Sequence, residues 1–203
     1  MLGFPQKTEI RKPLHKKVIF DRLKLNRAQQ ERVDADISRL WFVNEISPYS
    51  VGIAAGEEVK AFYVIEASLK RRNYDEKTIA MLFRLIENKM ILVLSFEAES
   101  RIAVYRGRLL ETAWMPTGSF SYTLQGLNLD AVWDNLVMQI GNIHPEPGRT
   151  IEEQIAADEQ RAKIQREIER LEKLARAEMQ PKKKFELAQK IAEMKQTAKG
   201  TTI

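Results

Sequence analysis

The aliphatic residues beyond position 150 recur at a spacing that leaves little choice of local structure. Ile164, Ile168, Leu171 and Ala175 stand four, three and four apart, and Leu187, Ile191, Met194 and Ala198 repeat the pattern. That spacing gathers each set on one side of an α-helix. Thr150 followed by Glu153 is a capping box, so the first helix should open there and run to about Met179. Gln180-Pro181 separates the two sets, and proline suits the first turn of a new helix. The pattern predicts an antiparallel, coiled-coil-like hairpin with Ile164, Ile168 and Leu171 facing Leu187, Ile191 and Met194. Either helix alone would be marginal in water, so each needs the other or a partner protein.

The hairpin follows the clearest boundary in the chain, His144-Pro-Glu-Pro-Gly148, where two prolines and a glycine cannot continue a helix. The expected organisation is a globular domain over 1–143, a Pro/Gly linker over 144–149, and the hairpin with a short disordered tail over 150–203. The first domain reads as α+β with a mostly antiparallel sheet and packed helices. Residues 1–20 read as irregular, with Arg11-Lys-Pro-Leu-His-Lys-Lys17 an extended arm or loop. Asn26 caps a helix expected from Arg27 to Leu40, on the stripe Val33, Ile37, Leu40. Strand-like runs follow at Trp41–Ile46, Ser50–Ala54 and Lys60–Leu69. A helix capped by Asp75 is expected over 76–88, with Ile79, Leu82, Phe83 and Ile86 on one side. Met90–Phe96, Arg101–Arg106 and Leu109–Met115 predict an antiparallel meander. A helix from Asn128 or Asp130 to Ile140 should bury Leu129, Val132, Trp133, Leu136 and Ile140.

Composition excludes several classes of protein. The 203 residues contain no cysteine, which removes disulfides, thiolate metal sites and cysteine nucleophiles. No apolar run is long enough to span a membrane, and the first residues have no apolar signal core, so a cytoplasmic location is the expectation. Residues 1–40 carry 10 Lys+Arg against 5 Asp+Glu, residues 41–149 carry 11 against 13, and residues 150–203 carry 12 against 10. The positive excess therefore sits at the N-terminus, with a second cluster at Lys182, Lys183 and Lys184. Lys7, Arg11, Lys12, Lys16 and Lys17 are candidate contacts to nucleic acid or to a partner protein. The lysines at the expected hairpin tip could serve the same purpose or merely keep a turn soluble.

Catalytic motifs are missing: there is no P-loop, G-x-G-x-x-G, G-x-S-x-G or H-E-x-x-H. His15 and His144 both read as exposed loop residues. Neither a catalytic residue nor a metal ligand nor a cofactor is assigned, and a non-enzymatic role is expected. Glu66, Lys70, Asp75, Glu97 and Glu99 supply the residue types of a Mg²⁺-dependent nuclease. A regular strand would separate Glu66 from Lys70 by roughly 13 Å, too far for one compact site. Trp41, Trp114 and Trp133 lie in apolar runs and read as core.

The opening Gly3-Phe-Pro5 with Thr8-Glu9, the segment Gly126-Leu-Asn-Leu-Asp-Ala-Val-Trp133, and the hairpin stretches Leu171-Glu-Lys-Leu, Glu178-Met-Gln and Lys184-Phe-Glu-Leu-Ala-Gln-Lys190 resemble the bacterial family of domain of unknown function 4391. The similarity runs in order along nearly the whole chain. Pro181 replaces the polar residue usual at the hairpin link. The resemblance implies no catalytic residue; it implies a genomic setting beside helicase-like and DNA-methyltransferase genes in restriction or phage-defence clusters. The expected function is accordingly a non-catalytic accessory or adaptor subunit of a DNA-acting assembly, binding a helicase- or methyltransferase-like protein. The alternatives are a stand-alone nucleic-acid-binding protein and a Mg²⁺-dependent nuclease. An exposed helical seam would also allow self-association.

Overall fold

A computed structural model describes residues 2–85 and 89–200, without the side chains of 197–200. Two compact units divide at Met1–His144 and Pro145–Ile203. In the first, the described residues form a seven-stranded sheet in the order β1-β2-β3-β4-β5-β6, with a short β7 also paired to β5. The strands are β1 (Glu9–Leu14), β2 (Ile37–Ile46), β3 (Phe62–Leu69), β4 (Lys89–Phe96), β5 (Glu99–Arg106), β6 (Arg108–Glu111) and β7 (Met115–Pro116). Only β3 and β4 run parallel; the other pairs are antiparallel.

Helices cover both sheet faces, as the near-continuous apolar run of β4 requires. Ile65, Ala67 and Leu69 of β3 and Met90, Leu92 and Leu94 of β4 belong to one buried cluster. Ile19 of α1 (Lys16–Arg22), Val33 of α2 (Arg27–Asp36) and Ile79 and Leu82 of α4 (Glu76–Leu82) complete it. Phe62, Val64, Ile91, Val93, Ile102 and Val104 alternate onto the other face and are buried. There Phe62 meets Trp133 of α5 (Leu129–Gly141) edge-on, with ring centroids 5.4 Å apart.

Several local expectations are corrected. The helix after Asn26 stops at Asp36, and Ile37 and Leu40 belong to β2. A bulge between Ile37 and Arg39 sets both Ile37 and Leu40 into the core although they are three apart. That odd spacing imitates a helical stripe. Ser50–Ala54 is not a strand: Pro48–Val51 is a short helix, α3, closed by left-handed Gly52. The N-terminal segment is ordered as a 3₁₀ turn at Gln6–Thr8, β1 and α1. Pro13 is tolerated because β1 is an edge strand. The helix after Asp75 ends at Leu82, and Ile86 lies outside the described residues. The final strand of the meander is interrupted, giving β6 and the separate β7.

Two aspartates fasten loops to this framework. Asp36 is fully buried and accepts from Arg71 Nε at 2.6 Å and from the Asp75 N–H at 3.0 Å, tying the β3–α4 connection to the end of α2. Asp130 accepts from the N–H groups of Glu57, Glu58 and Val59 at 2.6, 3.2 and 2.7 Å. A Cβ on Gly56 would lie 2.2 Å from that carboxylate, so the loop closes only around glycine. The helix cap itself is Asn128, whose side chain accepts from the Ala131 N–H.

The second unit contains α6 (Ile151–Ala177) and α7 (Pro181–Gly200), which pack against each other. Thr150 and Glu153 exchange the two hydrogen bonds of the capping box. Ile168, Leu171 and Ile191 are buried in the seam, flanked by Ile164, Ala175, Leu187 and Met194. The side chain of Ala198 and the last residues of the expected tail, 201–203, lie outside what is described. Lys195 of α7 reaches Glu172 of α6 at 2.8 Å, an ion pair across the hairpin.

Candidate interaction surfaces

The link between α6 and α7 presents apolar groups to solvent. Met179 is 93% exposed, Phe185 71% and Leu174 48%. Leu174, Met179 and Leu187 share a groove of about 630 Å³ with Lys183, Glu186 and Lys190. Lys182, Lys183 and Lys184 occupy the first turn of α7, which carries no acidic residue. A helix N-terminus bears partial positive charge, so three lysines there oppose the helix dipole. The arrangement is locally unfavourable, and an acidic surface set against it would relieve the repulsion.

The N-terminal cations divide among several elements. Lys7 is exposed on the 3₁₀ turn, Arg11 and Lys12 on β1, and Lys17 on α1. Lys16 instead pairs with Asp34 at 2.7 Å and fastens α1 to α2. Arg11 has a φ of +35° within the irregular stretch between Glu9 and Lys12, a conformation that strains a residue with a Cβ.

Beside β1 the sheet face that α5 covers turns polar. Phe62 and Val64 give way to Glu66 and Ser68 on the same face of β3. Trp41 stands opposite Glu66 and Arg39 opposite Ser68 on β2. Arg11, Arg39, Trp41, Glu66 and Ser68 line a concavity of about 390 Å³. Trp41 is 37% exposed, which corrects its expected place in the core. Trp133 is buried, and Trp114 is partly buried beneath the guanidiniums of Arg72 and Arg101, 5.4 and 5.3 Å from its ring centre. Arg101 also donates to the Thr112 carbonyl, Glu111 and the Tyr74 hydroxyl, and that hydroxyl bonds to Glu111. Burial, reinforced by Glu111, raises the ionisation point of Tyr74. The cluster satisfies its own polar groups and reads as structural.

The carboxylates considered for metal binding have separate duties. Glu66 accepts from Ser95 Oγ at 3.2 Å, Asp75 caps α4, and Glu99 pairs with Arg72 at 3.0 Å. Glu97 sits exposed at the β4–β5 turn, and Lys70 donates to the Asp34 carbonyl. Among the described residues no three His, Cys, Asp or Glu side chains are grouped to hold a metal ion. No described helix is long and apolar enough to cross a membrane.

Sequence reasoning located the cations but missed Arg39, Trp41 and Ser68. The available signal was Trp41 alternating with Arg39 on a strand, which the assumed continuation of α2 to Leu40 concealed. No curated protein and no solved structure matches the chain. The family model described as "Domain of unknown function (DUF4391)" matches residues 2–197, nearly the full length, and the chain belongs to that family.

Proposed function

We propose that the protein is a non-catalytic adaptor subunit of a DNA-acting bacterial assembly of the restriction or phage-defence type. In this reading the α6–α7 hairpin docks a helicase- or methyltransferase-like protein. The supporting observation is the end of the hairpin, where Met179, Phe185 and Leu174 stand exposed beside Lys182, Lys183 and Lys184. Exposed apolar side chains bordered by an excess of lysines over glutamates suit a protein surface with a matching apolar pocket and an acidic rim. The partner's acids would offset the lysine repulsion at the start of α7, giving the contact a charge preference as well as buried area. The wider setting rests on the family resemblance.

The test is affinity capture of the full-length chain from its native host, with the captured proteins identified. Wild type should retain a helicase- or methyltransferase-like protein, and Met179→Glu with Phe185→Glu should lose it while circular dichroism stays unchanged. Equal retention by the double variant, or the absence of any such protein from the wild-type capture, overturns the adaptor reading.

A further inference from the structure

The open half of the sheet face presents a second set of groups, independent of the hairpin. Arg11 and Arg39 bring two guanidiniums to the concavity, and no carboxylate among the described residues forms an ion pair with either. Its one acidic lining residue, Glu66, is engaged by Ser95 Oγ. Two guanidiniums against one carboxylate, set around an accessible indole, combine a net positive site with a flat apolar face. Nucleotides match that pairing: the phosphate meets arginine and the base stacks on the aromatic ring. The strained backbone of Arg11 is a local cost retained at this place.

From this juxtaposition we infer that Arg11, Arg39 and Trp41 form a binding site for single-stranded nucleic acid, with a base on Trp41 and flanking phosphates on the two arginines. A duplex keeps its bases stacked on one another and offers the indole nothing to cover, so a single strand or an unpaired end is the favoured ligand. Ser68 accepts from Arg39 Nε at 3.3 Å, which holds that guanidinium over the face. This site belongs to the sheet body, so it can fail while the adaptor reading stands, and the reverse.

The experiment measures fluorescence anisotropy of labelled oligo-dT and oligo-rU of about 16 nucleotides, with a blunt duplex of the same length for comparison. The full-length protein is titrated at several salt concentrations. The wild type should bind at least one single strand more tightly than the duplex, and the better of the two identifies the sugar preferred. Trp41→Ala should weaken that binding by roughly 5- to 100-fold, whereas Trp41→Phe should keep most of it. Arg11→Ala with Arg39→Ala should lower the slope of log affinity against log salt by about 1.4, at roughly 0.7 for each phosphate no longer neutralised. Unchanged circular dichroism spectra exclude misfolding of these surface variants. The proposal is overturned by an absence of binding at low salt, by affinity indifferent to Trp41→Ala, or by equal binding of duplex and single strand.

Discussion

Shortening one side chain in the hairpin seam should loosen the second unit and leave the sheet untouched. Leu171 is 4% exposed and packs with Ile168 and Ile191 in a cluster separate from the sheet. Truncating a buried leucine to alanine costs about 2–5 kcal/mol, and a two-helix seam that can relax at its solvent-facing sides belongs near the lower end, about 2–3 kcal/mol. At about 1.4 kcal/mol per decade, Leu171→Ala should raise the opening equilibrium of the hairpin by roughly 30- to 150-fold. Native-state amide exchange on the full-length chain reads this directly. Protection of α7 and the C-terminal half of α6 should fall by that factor, while β4 and β5 keep theirs. Leu171→Met conserves volume and should cost less than about 1.5 kcal/mol. Unchanged protection in α7, or a parallel loss in β4 and β5, would refute the claim that this seam holds an independently opening unit.

Two other outcomes follow from the ion pairs. Arg71→Ala leaves buried Asp36 with the Asp75 N–H and without its guanidinium; because Arg71 is itself half exposed, the cost should be about 2–3 kcal/mol, below the full range for a buried pair. In a double-mutant cycle followed by urea unfolding, adding Asp36→Ala should cost clearly less than the two single effects combined, and strict additivity would argue against coupling. In the hairpin, Glu172 is held below its ordinary value of 4.5 chiefly by its hydrogen bond from Lys195. A depressed carboxylate contributes stability that is present above that value and lost as pH falls through the lowered one. The stability difference between wild type and Glu172→Gln should therefore be clear at neutral pH and vanish in acid, as measured by thermal melts across that range.

What was legible in the sequence was whatever depends on near neighbours. The seam from Ile164 to Met194, the Thr150–Glu153 capping box, Pro181 at the start of α7 and the apolar run of β4 all follow from spacing within one element. What escaped depends on residues distant in sequence. The bulge at Ile37 exists because β2 pairs with β3, so the helix-like spacing of Ile37 and Leu40 could not be distinguished from a true stripe beforehand. The Asp130 loop clamp joins residues more than 70 positions apart, and no local rule assigns it. Trp41 was misplaced for a related reason. An aromatic residue in an apolar run is usually core, and only the change from Val64 to Glu66 on the neighbouring strand shows where cover by α5 ends.

The parallel joint in the sheet also has a consequence for the nascent chain. β1, β2 and β3 pair antiparallel and leave the ribosome before β4, which must cross over behind α4 to take its place. Until then the outer rim of Phe62-Tyr-Val-Ile-Glu-Ala-Ser-Leu69 is an unpaired, aromatic and β-branched template, the kind of segment that recruits copies of itself. Glu66 is the one charge in that stretch, and a charge at such a position opposes association of that kind while the chain is half made.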